Sequence, residues 1–476
     1  MIRRRLREIA DIVGGRPVGD RARAGHDEPE DPEVHGVGTD TRATLAGRLF
    51  VAIPGDRHDG HDHLEAARDA GATAALVESR FLDGGGKLPE GLPGIAVAEI
   101  RPALAALARD HRRRLRGVVI GITGSSGKTT IRSMAERVLA ELGPGTASIR
   151  SFNNDLGVPL TILEAREDDR WVLLEIGTNA PGEIGHLAGI ADPAIGILSG
   201  VGRAHLGGFG SEAAIAAEKA ALIDAVAKNA GTAIVNVDAE VIAEEIAGRR
   251  AAGGSIVTYG DAGAADRRLL DRSVRSGGGQ TIELGDFTGD VGLDGRHNAI
   301  NAIAVVELAR RLGVADADIA RRLAELEPPP MRFVRHVVNG IEVVDDTYNA
   351  NPESMRASLE TFAEISTTAT RRIAVLGGMR ELGTRSASLH EAVGAVAANV
   401  SDEIVLVGGD DVAAIGRGAR NAGFEGGLHQ VADGDAAATL LAEHVAAGDA
   451  ILFKGSRAVG LDKVVVSILE NWEARG

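Results

Sequence analysis

The segment GITGSSGKTT at 121–130 crowds Gly124, Ser125, Ser126 and Gly127 against Lys128, Thr129 and Thr130. A loop of that composition presents backbone N–H groups, a lysine balances anionic oxygen, and a threonine hydroxyl suits a hard cation. The implied chemistry is a polyphosphate held for phosphoryl transfer, which needs positioning and charge neutralisation more than covalent work. Ile122 stands where the pattern GxxxxGK[ST] has its first glycine, so a glycine turn with an incidental lysine is the competing reading. Context decides between them. The β-rich run GVVIGI precedes the loop, and Ile131, Met134, Ala135, Val138, Leu139 and Leu142 follow it at i, i+3, i+4, i+7, i+8 and i+11, one face of a helix.

Other residues carry chemistry only through their position. Glu175 ends the apolar run WVLL, where its carboxylate projects from the carboxyl edge of a sheet beside the loop. His205 follows AIGILS. Lys219 sits in SEAAIAAEKAALIDAV, whose pattern by itself reads as a helix with a solvated charge. His297 and Asn298 open a helix after LDGR, so Asn298 suits an N-cap. Arg332 lies just past three prolines, Asp346 ends the strand IEVV, and Asn349 and Asn351 belong to a YNANP turn. The cluster DRHDGHDH at 56–63 invites a metal, but no partner set completes a tetrahedral site.

The elements that must position these groups read as α/β throughout. RLFVAI and TAALVES flank the helix-like HLEAARDAGA, a small α/β unit. A helical stretch at 101–116 leads into VVIGI, and WVLLEIG, AIGILSG and TAIVNVD then alternate with Ala-rich periodic segments, the pattern of a parallel sheet with crossover helices. EPPPM at 327–331 cannot continue a helix and marks a boundary. Beyond it IEVVDD, RIAVLGG, EIVLVGG and AILFKGS imply a second doubly wound unit. The expected domains are therefore 1–100, 101–327 and 328–476. MIRRRLREIADIVGG reads as a short amphipathic helix, broken by Glu8 and Asp11 where a signal peptide would be apolar.

A net charge of −16 argues against a nucleic-acid-coating surface. The absence of cysteine excludes disulfides, thiolate nucleophiles and Cys-ligated metals, and no apolar run approaches the roughly 18 residues that span a bilayer. A cytoplasmic protein is expected, without membrane insertion.

In order along the chain, GITGSSGKTT, SFNNDLGVPLTIL (151–163), EIGTNAPGEIGHLA (175–188), AHLGGFGS (204–211), GRHNAINAIAV (295–305), DDTYNANPESMRASL (345–359) and FKGSRAVGLDKVV (453–465) resemble the Mur ligase family. Within it they are most similar to the branch that adds D-alanyl-D-alanine to a UDP-linked muramoyl tripeptide. The resemblance implies three domains: a small N-terminal α/β domain meeting the UDP moiety, a central P-loop ATPase domain, and a C-terminal Rossmann-like domain for the incoming amine or dipeptide. It implies ATP as phosphoryl donor, an acyl-phosphate intermediate, two Mg²⁺ sites and a monomer. Thr129, Glu175, His205 and a carbamylated Lys219 become metal ligands. Asn298, Arg332 and Asp346 contact the nucleotide, and Asp40, Arg42, Asn153, Asn154, Asn349, Asn351 and Lys454 meet the substrates. This chain departs from the pattern at Gly38, Gly200, Gly207 and Gly378, where the branch usually has larger residues, so a relative joining a different acid and amine is the alternative. A nucleotide-binding regulator without ligase activity is another, and the presence of Lys128, Thr129, Glu175, His205 and Lys219 argues against it.

Overall fold

The computed structural model describes residues 1–19, 31–55, 58–149, 152–203 and 206–473. Its central sheet has seven parallel strands in the order Arg267–Arg268, Ser255–Gly260, Thr232–Asn236, Ile195–Leu198, Val118–Thr123, Trp171–Glu175 and Gly145–Ala147. Side chains alternate across it. Val119, Val172 and Leu174 join one core, while Ile120, Ile122 and Leu173 face the other, which includes the helices Lys128–Leu139 and Arg296–Arg311. The chain leaves Val118–Thr123 first and later returns to pair on both sides of it, so the crevice beyond its carboxyl end is a topological switch point. The phosphate loop begins there.

Two further sheets flank this one. The N-terminal sheet runs Arg16–Val18, Gly94–Val97, Ala74–Glu78, Leu49–Val51 and Val37–Gly38, antiparallel only at its first pair. Its residues Leu49, Val51, Leu76 and Ile95 share a core with the helix Ile100–Arg112 and with central-sheet Val172. The C-terminal sheet runs Val334–Val338, Ile341–Asp346, Ala450–Lys454, Arg372–Gly377, Glu403–Val407 and Gly427–Val431, parallel after its antiparallel first pair.

The sequence expectations need correction in three places. Arg3–Arg5 form a strand paired with Glu33–His35, and only Leu6–Val13 is helical. The helix expected over 101–116 ends at Arg112, whose guanidinium donates to the carbonyls of Ala191 and Asp192. A three-stranded antiparallel sheet, Asp271–Val274, Gln280–Glu283 and Thr288–Val291, interrupts what reads as continuous strand-helix alternation.

In the C-terminal unit the helices Ser386–Val400 and Asp410–Asn421 touch backbone to backbone. A methyl group on Gly418 would collide with the Glu391 carbonyl, and one on Gly394 with that of Ile415. Helix propensity alone favours alanine over glycine by about 1 kcal/mol. Overpacking costs about 1–3 kcal/mol. Gly418→Ala is therefore expected to lower the calorimetric melting temperature of this unit; a raised one would show that the helices can separate at no cost.

Candidate functional site

Gly124 has φ +149° and Gly127 φ +83°, and side chains at either would meet Ser199 Oγ and Asn301 Oδ1. These two glycines let the loop fold back against the sheet edge and the helix Arg296–Arg311. Ser199 Oγ donates to the Ser126 carbonyl at 2.5 Å and lies 3.1 Å from that of Thr123, and Ser125 N donates to Gly200 O at 2.9 Å. Lys128 Nζ donates to Gly124 O at 2.7 Å, closing the loop on itself.

The loop forms one wall of a cavity of about 1150 Å³, with Ser125, Ser126, Gly127, Lys128, Thr129 and Thr130 all lining it. Glu175, only 1% exposed, reaches the floor from the neighbouring strand. Its Oε2 accepts from Thr129 Oγ1 at 3.1 Å and its Oε1 from Arg132 Nε at 2.9 Å. Thr129 Oγ1 also accepts from Arg332 Nη2 at 3.1 Å, across the boundary between central and C-terminal sheets. Burial holds the Lys128 ammonium below its ordinary pKa, opposed by Glu175 and reinforced by Arg332.

Lys219 is 2% exposed, although its helical context reads as solvated. The helix Glu212–Lys228 is buried on most of its circumference, and the Lys219 amine faces the cavity. Burial pulls its pKa to about 7, and the nearby Lys128 charge acts in the same direction. The adjacent Glu218 is committed elsewhere: its two oxygens accept from Gly182 N and Ile184 N at 2.7 Å each, capping the helix Glu183–Ala191.

The opposite wall comes from beyond the prolines. Met331 and Phe333 both have φ +60°, so the backbone is forced into the left-handed region on each side of Arg332. The Arg332 guanidinium lies 4.1 Å over the Tyr348 ring. Asp346 and Lys454 face each other on neighbouring strands and pair at 2.6 Å, while Lys454 Nζ also donates to Asn349 O at 3.2 Å. Lys454 thus meets a carboxylate at the cavity edge, and removing one partner of so buried a pair costs on the order of 3–5 kcal/mol. Asn351 caps the helix Pro352–Ile365 by accepting from Ser354 N, and its Nδ2 reaches Ser125 O at 3.4 Å.

Asn298 lies inside its helix, whose N-cap is Gly295, and its Nδ2 donates to Asp294 O at 2.8 Å. His297 is half-buried at the cavity wall, and desolvation lowers its pKa to about 4. Asn153 and Asn154 line the cavity; Asn154 Oδ1 accepts from Leu156 N and Gly157 N and so begins the helix Gly157–Glu164. Asp40 and Arg42 pair with each other on the surface at 2.7 Å and do not line the cavity. His205 lies outside the described residues. In the 56–63 cluster, His61 Nδ1 pairs with Asp59 at 2.6 Å and Nε2 accepts from Glu78 N at 3.0 Å, which leaves His61 no ring nitrogen for a metal.

Residues that sequence reasoning passed over include Arg132, Ser199, Asn301, Tyr348 and Glu353. Only Asn301 left a signal, a second asparagine three places after Asn298 in the mainly aliphatic stretch 299–306. At three of the departures the glycine is closely fitted. A Cβ at Gly38 would collide with Leu45, one at Gly207 would lie 3.1 Å from Gly383 N, and one at Gly378 3.3 Å from Asp411 Cβ.

Three family models match the chain: "Mur ligase family, catalytic domain" over 33–112, "Mur ligase middle domain" over 122–309 and "Mur ligase, glutamate ligase domain" over 331–457. The chain belongs to the Mur ligase family. Proteins named UDP-N-acetylmuramoyl-tripeptide–D-alanyl-D-alanine ligase are similar to it end to end. The Mycobacterium leprae protein is 36% identical, covering 97% of each chain, and the Escherichia coli protein 32% identical, covering 99% of each. Among solved structures, MurF of Acinetobacter baumannii superposes with a TM-score of 0.84 at 28% identity, covering 99% of both chains. The Thermotoga maritima MurF ligase in complex with ADP superposes at 0.79 and 29% identity, covering 93% of this chain and 99% of that one.

Lys219 carries a signed pH dependence. Its pKa is about 7 when folded against an ordinary 10.5, so between these values the unfolded chain holds a proton that the folded chain lacks. Stability should rise with pH through that window, and the penalty is fully present below about 7. In CO₂-free buffer, Lys219→Met is expected to be more stable than the parent near neutrality, with the gap narrowing toward pH 10.5. Denaturant midpoints measured across pH check this; a pH-independent gap would contradict it.

Proposed function

We infer that the protein is an ATP-dependent ligase of peptidoglycan precursor synthesis, joining D-alanyl-D-alanine to UDP-N-acetylmuramoyl-tripeptide. The end-to-end likeness to proteins bearing that name supports the substrates. The observation that carries the chemistry is the convergence of Lys128, Thr129, Glu175, Lys219 and Arg332 on one cavity between the central and C-terminal sheets.

In the proposed reaction a carboxylate oxygen of the tripeptide attacks the γ-phosphorus of ATP, and ADP leaves. The amine of D-alanyl-D-alanine then attacks the acyl carbon, phosphate departs with the former carboxylate oxygen, and the amine's extra proton is lost. The loop amides and Lys128 bind the β,γ-phosphates, and Arg332 brings a second cation from the far wall. Closing the cavity between two sheets keeps water from the acyl phosphate. Asn298, Asp346 and the YNANP segment are placed on the nucleotide and amine side. Asn153 and Asn154 are placed along the path of the tripeptide, with Asp40, Arg42 and the N-terminal sheet toward its UDP end.

The Thr129 hydroxyl and Glu175 carboxylate are the oxygen donors that Mg²⁺ prefers, and they touch each other beside the loop. Among the described residues no group of three or more His, Cys, Asp or Glu could hold a metal, so phosphates and water would complete the shell. Bound Mg²⁺ would neutralise phosphate charge. A Lys219 amine of pKa about 7 is substantially neutral at physiological pH and can add CO₂, giving a carbamate and a proton. That anion, together with His205, is proposed to serve a second Mg²⁺.

The reading includes a monomer, since one chain encloses the cavity. It also includes a cytoplasmic location, where ATP is at hand; no described helix is long and apolar enough to cross a membrane. The domain limits 1–100, 101–327 and 328–476 are supported by the separate sheets each segment builds.

ADP release measured with a panel of UDP-muramoyl peptides and amines tests this reading, and turnover is expected with the tripeptide and D-alanyl-D-alanine. Equal turnover with unrelated acids would contradict it. Lys128→Ala should lose at least about 10²-fold in kcat with the fold intact. Lys219→Ala should be nearly inactive and regain turnover with added formate or acetate at constant ionic strength, whereas Lys128→Ala should not. Full activity of Lys219→Ala without additive would remove the carbamate from the account.

A further inference from the structure

Glu353 stands in the first turn of the helix Pro352–Ile365, on the C-terminal side of the cavity. Its Oε1 accepts from Arg203 N at 3.0 Å, in the segment that follows the strand Ile195–Leu198 of the central sheet. Its Oε2 is buried without a hydrogen-bond partner. Gly202 packs so closely on the carboxylate that a Cβ there would lie 2.7 Å from Glu353 Cδ. The same stretch is fastened to the phosphate loop. Gly202 N donates to Ser125 Oγ at 2.9 Å, Ser125 Oγ donates to Gly202 O at 3.2 Å, and Ser125 N donates to Gly200 O at 2.9 Å.

The contacts form a chain from one wall to the other. Glu353 holds 202–203, and 200–202 holds Ser125. Arg203 is itself held at its side chain by Glu212 at 2.9 Å, and Arg385 of the C-terminal unit approaches the same Glu212 oxygen at 3.5 Å. A carboxylate with one buried, unpartnered oxygen is a costly thing to keep at a joint between two units. It is compensated only while the joint is closed and the other oxygen keeps its backbone donor.

We propose that Glu353 is a positioning residue: by clamping Gly202 and Arg203 it couples closure of the C-terminal unit to the shape of the phosphate loop through Ser125. The proposal rests on the ligase reading for its activity readout. Glu353 holds the backbone of Arg203 and not a phosphate-loop amide or Lys128, so its loss should spare nucleotide affinity and lower the rate of the step that needs the closed loop. Misplacing reacting groups by about 1 Å can cost up to about 10²-fold.

The test uses the full chain. Glu353→Ala and Gly202→Ala are each expected to lower kcat about tenfold, and the double variant to be no worse than either, since both singles break one contact. Glu353→Gln, whose amide oxygen can still accept from Arg203 N, should return to within about twofold of the parent. The Kd for ADP should be unchanged in Glu353→Ala. Hydrogen exchange of 200–203, with a non-hydrolysable ATP analogue bound, should be faster in Glu353→Ala than in the parent. This second readout needs no turnover, so a parent inactive on muramoyl peptides would sink the ligase reading while exchange still judges the clamp. Additive losses in the double variant, a fall in ADP affinity matching the fall in kcat, or unchanged exchange at 200–203 would overturn the proposal.

Discussion

The hydroxyl of Thr129 is where three separately built parts of the molecule are held together. It belongs to the phosphate-loop helix, donates to Glu175 from the next strand, and accepts from Arg332 beyond the triple proline. Glu175 is almost wholly buried, and a carboxylate there needs compensating partners. Arg132 supplies the charge and Thr129 a hydrogen bond. Much of the C-terminal wall serves to bring Arg332 to this point. Left-handed residues flank it, Tyr348 lies beneath it, and Tyr348 N donates to Met331 O at 3.1 Å. Strain of this kind, on the order of 1–3 kcal/mol per residue, persists only where surrounding contacts over-determine it.

The charge arrangement follows from the same constraint. Lys128, Lys219 and Arg332 line the cavity, and Arg132 pairs with Glu175 at its floor, in a protein whose net charge is −16. Among them Glu175 is the carboxylate engaged by both Arg132 and Thr129, and Asp346 is taken up by Lys454. Lys128, Lys219 and Arg332 beside the phosphate loop suit a polyanionic ligand, and burial together with the Lys128 charge makes the ammonium of Lys219 costly. Burial is the main cause of its depressed pKa, and the nearby Lys128 charge adds to it. Converting that amine into an anion would relieve the repulsion and supply oxygen in the same move.

Much of this was legible in the sequence because it depends on local periodicity. The strand, loop and helix around Lys128 follow from a period-2 run meeting a 3.6-residue pattern, and the strand-end places of Glu175 and Asp346 follow from apolar runs that stop at an acid. The strands at 271–291 were missed because DRSV, QTIE and TGDV are short, polar and partly exposed, with little apolar alternation to read. The burial of Lys219 was hidden for a different reason. Its helix is Ala-rich on all sides, so no stripe distinguishes a buried face from a solvated one. Contacts such as Arg332 to Thr129 and Glu353 to Arg203 join residues 203 and 150 positions apart, a separation at which no pattern in one sequence reports proximity.

The central claim is that this joint activates a carboxylate by phosphorylating it. Oxygen transfer tests that most directly. With ¹⁸O placed in the terminal carboxylate of the UDP-muramoyl tripeptide, each turnover with D-alanyl-D-alanine and ATP should deliver one labelled oxygen to inorganic phosphate, read by mass spectrometry or by the ³¹P isotope shift. Phosphate that emerges unlabelled while amide product accumulates would show that the carboxylate never carried the phosphoryl group, and would contradict the account.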